Sequence, residues 1–179
     1  MFVRKNQLFA LIALALIPFS SSVMAATATS TMTVSTNVVQ ACRIASTTNL
    51  SFGTYDPTSA NRLTALNATN TVAISCVAQS TGVELAFDEG LNKDASSTCQ
   101  APVRRMTNAD GSFLKYNLYQ NSSRNLVWGC ASGANTKAFT SASFPNTDAV
   151  SVTQYGTIPA GQDIVKGAYT DTVGVTVSF

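Results

Sequence analysis

The sequence contains no histidine and very little charge. None of its 179 residues is a histidine, and charged residues make up 11% of the chain, against about 25% in a typical soluble domain. Without histidine there is no Ser-His or Cys-His nucleophile, and the zinc sites that use histidine are excluded. We therefore expect no catalytic residues, no metal and no other cofactor, and the chain is not predicted to be an enzyme.

The chain also lacks an apolar run long enough to span a membrane. Arg4 and Lys5 precede an apolar stretch over residues 8–17, and small residues surround Ala25. This stretch is about half of the roughly 20 apolar residues that a transmembrane helix needs. A basic start, a short apolar stretch and a small-residue site are typical of a secretory signal peptide. Residues 1–25 are therefore predicted to direct export and to be removed.

The remaining chain, residues 26–179, carries no net charge. Once Arg4 and Lys5 are removed, 9 of the 11 basic residues face 9 acidic ones. The charges are scattered singly and form no basic stripe, so nucleic acid is not a predicted partner. A neutral chain with few charges has little electrostatic repulsion between copies, which favours self-association.

The four cysteines predict two disulfides. An even number of cysteines in an exported chain favours disulfides over metal binding or catalysis. Three pairings are possible, and we favour Cys42 with Cys76 and Cys99 with Cys130. Each of these bridges closes a loop of about thirty residues, which contributes roughly 3 kcal/mol in the chain-entropy model.

The apolar pattern after residue 25 has the period of strands and never that of a long helix. Val83, Leu85 and Phe87 alternate with polar residues, as do Leu114, Tyr116 and Leu118. Short alternating stretches between turn residues predict an all-β antiparallel sandwich of about eight or nine strands. The predicted strands are 29–42, 50–53, 71–77, 83–88, 103–107, 113–120, 125–130, 149–155 and 167–179.

Several polar and aromatic residues have both a functional and a structural interpretation. Trp128, Tyr116 and Tyr119 could form a sugar-binding platform, but aromatic residues at strand spacing more often belong to a core or sheet face. Arg104 and Arg105 could bind an acidic ligand, but a solvated strand edge is the preferred interpretation.

Both ends of the exported chain carry a strand pattern. In the opening segment Met32, Val34 and Val38 fall on every second position, and the small Thr36 continues the row. The segment could pair inside its own sandwich, or it could add to the open sheet edge of another copy. Head-to-tail addition does not close on itself, so the second arrangement would produce a fibre.

A set of short motifs covers essentially the whole exported chain. They are Cys42, Leu50–Pro57, Ile74–Cys76, Arg105–Met106, Tyr116–Tyr119, Trp128–Gly129, Tyr155–Gln162, Gly167–Val173 and Val175–Val177. In their order and spacing these motifs resemble the spore coat protein U domain family, whose members include the Csu-type archaic chaperone-usher pilins.

The resemblance implies an incomplete immunoglobulin-like antiparallel β-sandwich that is completed by a donor strand. A periplasmic chaperone would fill the gap first, and the donor strand of the next subunit would replace it at the outer-membrane usher. The product would be a pilus on the cell surface, used for adhesion and biofilm formation. The bridge from Cys42 to Cys76 resembles the family's link between its first two core strands.

Carried onto this sequence, the resemblance divides the chain into a signal peptide (1–25), a donor segment (26–41) and a sandwich domain (42–179). The inserting positions would be Ala28, Met32, Val34, Thr36 and Val38. Thr36 departs from the pattern, because a larger apolar residue would bury more area there. The candidates for the acceptor groove are Val173, Val175, Val177 and Phe179.

Two other functions are compatible with the sequence. One is a free-standing secreted carbohydrate-binding sandwich, and the other is a spore or surface coat protein that forms no pilus. A binding module should be a stable monomer whose first strand pairs internally, whereas a pilin should aggregate alone and be rescued by a chaperone.

Overall fold

The structure is a computed structural model that describes Met24 and residues 26–179. The predicted signal peptide therefore lies, apart from Met24, outside the described residues. The chain divides into two units, with the boundary between Thr36 and Asn37, and each unit is described by itself. Within the described range, no helix is long and apolar enough to cross a bilayer.

The second unit is an all-β fold with antiparallel strands, as predicted. The first four strands are β1 (Cys42–Thr47), β2 (Leu66–Cys76), β3 (Val83–Phe87) and β4 (Arg104–Thr107). They are followed by β5 (Phe113–Tyr119), β6 (Lys137–Phe139), β7 (Val150–Ile158) and β8 (Val175–Ser178). One short 3-10 helix, Ser141–Ser143, lies between β6 and β7.

The strands form an immunoglobulin-like sandwich of two sheets. The larger sheet has the order β1-β2-β7-β5-β4 and the smaller sheet has the order β6-β3-β8. Alternation places one face of each strand inward, since successive side chains of a strand point to opposite sides. In β3, for example, Val83 and Leu85 have no exposed surface while Glu84 is half-buried. The core between the sheets also takes in Trp128, Phe139 and Phe144.

Two disulfides join neighbouring parts of the sandwich. Cys42 pairs with Cys76, and these residues also lie directly opposite each other in the β1–β2 ladder. Cys99 pairs with Cys130, with 4.7 Å between their Cα atoms. These are the two pairs that the cysteine spacing favoured.

The predicted opening strand is not present. Among the described residues, no strand begins before Cys42, and residues 26–41 have no regular secondary structure. The side chains of Met32 and Val34 are 85% and 82% exposed, and that of Val38 is 73% exposed. An alternating pattern forms a strand only where a partner edge supplies hydrogen bonds. Among the described residues, Ala41 accepts a backbone hydrogen bond from Val77, and residues 26–40 make none.

Two other short strands were also predicted wrongly, for the same reason. Residues 50–53 are in no strand, although Leu50 and Phe52 are half-buried as the alternation requires. Residues 125–130 contain only a single bridge, between Val127 and Tyr119. Conversely, β6 was not predicted, since its three residues are too few to show a period.

Two residue-level expectations need correction. Phe179 was expected to point inward with Val177, but it lies beyond the end of β8, outside the ladder with β3, and is 56% exposed. Arg104 was expected at a solvated strand edge, but it is fully buried. Its strand pairs with β5 on one side only, and the guanidinium turns inward to backbone carbonyl groups.

Candidate functional site

An open groove runs along one side of the sandwich, between two segments that belong to no regular strand for most of their length. We call residues 47–57 the first rim and residues 164–175 the second rim. The first rim leaves the end of β1, and the second rim leads into β8. No backbone hydrogen bond joins the two rims among the described residues. The two rims are therefore not paired with each other as neighbouring strands of a sheet.

The groove contains two cavities that follow one another along its length. The first, of about 460 Å³, lies at the end nearest β1 and β8, and the second, of about 750 Å³, lies at the opposite end. Five residues line both cavities, so the two spaces adjoin. These residues are Leu50, Phe52, Met106, Tyr169 and Thr170.

The floor of the groove is the apolar core of the sandwich. Val72, Phe87 and Leu118 line the first cavity, and Leu114 and Ile158 line the second. Each of these side chains is at most 3% exposed. The inward side chains of the rims, such as Leu50, Tyr169 and Val173, pack against this core but remain only partly buried. Partly buried apolar side chains around an open channel form an interaction surface, because covering them with apolar groups is favourable.

The first rim rests directly on the backbone of β7. A Cβ atom added at Gly156 would lie 2.5 Å from Leu50 Cδ2 and 2.7 Å from Phe52 Cζ. Further along, the Tyr55 hydroxyl donates to the Pro159 carbonyl at 2.9 Å. Glycine at position 156 thus allows the rim to sit close to the sheet and sets one wall of the groove.

The second rim is held by hydrogen bonds from three neighbouring parts of the sandwich. The Tyr116 hydroxyl donates to Asp171 Oδ2 at 2.6 Å, and the Asn92 backbone N–H donates to Asp171 Oδ1 at 3.1 Å. Thr107 and Thr170 exchange two backbone hydrogen bonds. Burial raises the pKa of Tyr116 well above its ordinary value, and the hydrogen bond to Asp171 raises it further, so this hydroxyl remains a donor. The second rim is therefore anchored to the sandwich although it makes no backbone hydrogen bond to the first rim.

The predicted groove residues are only partly brought together. Val173 and Val175 line the first cavity. Val177 packs partly against the core further along β8, outside both cavities, and Phe179 is exposed. The predicted donor positions Ala28, Met32, Val34, Thr36 and Val38 are all exposed in the described chain.

The aromatic residues do not form a sugar-binding platform. Trp128 has no exposed surface and Tyr116 is 5% exposed. The Trp128 ring packs edge-on against Phe87 with 4.6 Å between the ring centroids. These rings belong to the core, and an exposed aromatic face is what a carbohydrate-binding site would need.

Sequence reasoning missed several residues of the groove. Gly156 and Asp171 lie in two of the family motifs, Tyr155–Gln162 and Gly167–Val173, but no role was predicted for them. Gln154 and Asn70 line the first cavity, and Gln154 is 3% exposed. The sequence did contain a signal that Gln154 points inward, because this residue falls on the same alternate positions of β7 as Val150 and Val152.

The fold and the groove define a class of protein, an immunoglobulin-like sandwich with an open lateral groove. The Spore Coat Protein U domain family matches residues 28–176, and the chain belongs to that family. Protein U of Myxococcus xanthus is 38% identical over 173 residues, which is 93% of each chain.

Two solved structures are also similar. One is a CsuC-CsuE chaperone and tip adhesion subunit complex from the archaic chaperone-usher Csu pili of Acinetobacter baumannii, with 25% identity over 79% of this chain and a TM-score of 0.46. The other is a chaperone-tip adhesin complex of CFA/I fimbriae, with 14% identity over 78% of this chain and a TM-score of 0.45. The chain spans 40% and 41% of the lengths of those two solved chains.

Proposed function

We propose that this protein is a structural subunit of a chaperone-usher pilus and that it polymerises by donor-strand exchange. Residues 26–41 of one copy would fill the groove of the next copy. The observation that carries the proposal is the groove itself, whose rims present partly buried apolar side chains and make no backbone hydrogen bonds to each other. The exposed alternating row with Met32 and Val34 is the complementary element in the same chain.

The donor segment and the groove match in length and chemistry. Residues 28–38 and the first rim, residues 47–57, are of equal length, and an extended segment of this size spans about 36 Å at roughly 3.3 Å per residue. Burying four or five of its side chains would contribute on the order of 6 to 15 kcal/mol before costs are subtracted. Backbone hydrogen bonds to the rims would add about 1 kcal/mol each.

The inserting positions are Ala28, Met32, Val34, Thr36 and Val38, and the acceptor includes Val173 and Val175, which line the first cavity. In this proposal residues 1–25 are the signal peptide, residues 26–41 the donor segment and residues 42–179 the sandwich domain. Head-to-tail insertion leaves the assembly with one free groove at one end and one free donor segment at the other, so it grows as a fibre.

The other partners follow from the resemblance to Csu-type pilins. A periplasmic chaperone would cover the groove of each newly exported copy, since an open apolar groove with unpaired backbone groups is an aggregation hazard. An outer-membrane usher would exchange the chaperone for the next donor segment. The fibre would lie at the cell surface and serve adhesion and biofilm formation.

The similarity to Protein U favours a second candidate, a coat protein that uses the same groove for assembly but forms no pilus. The two functions differ in how assembly depends on other proteins. A pilin requires the chaperone and the usher for surface fibres, whereas a coat protein would assemble on a surface without an usher.

A charge placed on the inserting row tests the proposal. Val34→Asp would put a carboxylate into the apolar groove, at a cost of several kcal/mol, so we expect no polymer when the variant is co-expressed with its chaperone. Ser35→Asp is the matched control, because its side chain points to the opposite side of the strand. Polymer is measured by size-exclusion chromatography and electron microscopy. Equal polymerisation of both variants would contradict donor-strand insertion.

A further inference from the structure

The first cavity of the groove contains a buried side-chain amide whose nitrogen has no hydrogen-bond acceptor among the described residues. Gln154 is 3% exposed and its side chain lines the cavity. Its Nε2 atom is buried and has no hydrogen-bond partner among the described residues. A buried donor without an acceptor lowers stability, so this amide points to a ligand that brings an acceptor.

A buried acceptor lies next to this donor. Asn70 is the cross-strand partner of Gln154 in the β2–β7 ladder, so their side chains share a face. Asn70 Nδ2 donates to the Thr48 carbonyl at 2.6 Å. Asn70 Oδ1 is also buried, and no partner for it is found within the described part of the chain. The two atoms together match a hydroxyl group, which can accept from Gln154 and donate to Asn70.

The donor segment carries hydroxyl groups in its inserting row. The complete row of alternate positions is Ala28, Ser30, Met32, Val34, Thr36 and Val38. Its two hydroxyl residues, Ser30 and Thr36, are each second from one end. The Gln154–Asn70 pair also lies near one end of the groove, because Asn70 contacts Thr48 at the point where the first rim leaves β1. A segment that fills the groove therefore brings one of these hydroxyls level with the pair.

We propose that Gln154 and Asn70 form a polar subsite that binds the Ser30 hydroxyl of a second copy of this chain. The proposal rests on donor-strand exchange and deepens it, since it identifies the preferred donor as the chain's own segment. Every strand pair that the structure describes is antiparallel. A donor that runs antiparallel to the second rim and β8 enters with Ala28 at the β8 end. Ser30 then lies beside Gln154.

The test is a double-mutant cycle on polymers of the full exported chain. Ser30→Val removes the hydroxyl and leaves the Gln154 amide buried without a partner, and we expect subunit release in denaturant to become roughly tenfold faster. In the double variant with Gln154→Leu, an apolar pair replaces the polar one. Release should then return part of the way to the wild-type rate, because the Gln154 amide no longer lacks an acceptor while Asn70 Oδ1 still lacks a donor.

The control is Thr36→Val, which makes the same type of change at the other hydroxyl. Its effect on the release rate should be the same with and without Gln154→Leu. Circular dichroism of the chaperone-bound subunits checks folding, and Gln154→Met replaces Gln154→Leu if the leucine variant does not fold.

Three results would each have a separate meaning. Coupling of Gln154 to Thr36 instead of Ser30 would overturn the antiparallel direction and the assignment of Ser30. Additive effects at both positions would overturn the polar subsite while leaving donor-strand exchange intact. Polymers that form equally well when residues 28–38 are deleted would overturn the proposed function itself.

Discussion

Arg104 shows how a charged residue can serve as a structural part of a core. Its guanidinium has no exposed surface and donates to the Trp128 carbonyl at 2.9 Å and to the Phe87 carbonyl at 3.0 Å. It also donates to the Asp88 carbonyl through Nε at 2.8 Å. Burial lowers its pKa, whereas nearby Tyr116 and Asp88 act in the opposite direction. Through these hydrogen bonds the planar guanidinium links β4 to the end of β3 and to Trp128.

Replacing Arg104 by lysine should therefore destabilise the sandwich although the charge is kept. A lysine ammonium cannot reach three carbonyl groups with the geometry of a guanidinium, so buried acceptors lose their donors. We expect the free energy of unfolding to fall by on the order of 2 to 4 kcal/mol, measured by denaturant titration. The control is Arg105→Lys, which alters partly exposed contacts with Asp94 and with the carbonyl groups of Asn92 and Lys93 and should cost less, on the order of 1 kcal/mol. Equal losses in both variants would contradict the role of Arg104.

At the scale of elements, the sequence predicted segments that pair in a regular ladder and failed for segments that have an alternating pattern but no such ladder. β3, β5 and β7 were predicted because burial of one face imposes a strict period of two. The first rim has the same alternation in Leu50 and Phe52 but no regular pairing, and the opening segment has alternation without a partner. An alternating pattern indicates which face of a segment is buried, whereas a strand also needs a partner edge for its backbone hydrogen bonds, and the pattern does not show whether that edge is present.

The position of the first rim depends on Gly156, and a substitution there tests this. Gly156→Ala would place a Cβ atom 2.5 Å from Leu50 and 2.7 Å from Phe52, so the rim must move outward. We expect a loss of about 1 to 3 kcal/mol in the free energy of unfolding, as for overpacked cores, together with weaker polymerisation. Both are measured by denaturant titration and by size-exclusion chromatography. Ser151→Ala, at an exposed position of the same strand, is the control and should change stability by about 0.5 kcal/mol or less. An unchanged Gly156→Ala variant would show that the rim is not seated on β7.

At the scale of the whole molecule, the groove could be expected from the sequence but its chemistry could not. The alternating opening segment and the family motifs pointed to a missing strand. The polar subsite depends on β7 lying beside β2 so that Gln154 faces Asn70, and this adjacency joins residues far apart in the chain. Buried polar residues such as Arg104 and Gln154 were missed because residue type alone places them at the surface.

The chain has few charged residues and no histidine, and this composition determines how its free energy of unfolding depends on pH. A hydrogen bond from Lys93 lowers the pKa of Glu89 below its ordinary 4.5, and hydrogen bonds from Ser96 lower the pKa of Asp94 below 3.8. Because these folded-state pKa values lie below the unfolded ones, the unfolded chain binds more protons in acid. The stabilisation is therefore present above about pH 5 and is lost as the pH falls through the folded values.

Between pH 5 and 8 no side chain is expected to titrate, since the chain has no histidine and its four cysteines are in disulfides. The free energy of unfolding, followed by denaturant titration from pH 2.5 to 8, should be flat in the upper range and fall below about pH 4.5. Glu89→Gln and Asp94→Asn should each reduce the acid-side slope, because each removes a carboxylate whose pKa is lowered in the folded chain. Equal acid-side slopes in the wild type and in both variants would contradict the assignment of part of the acid-side loss to these two carboxylates.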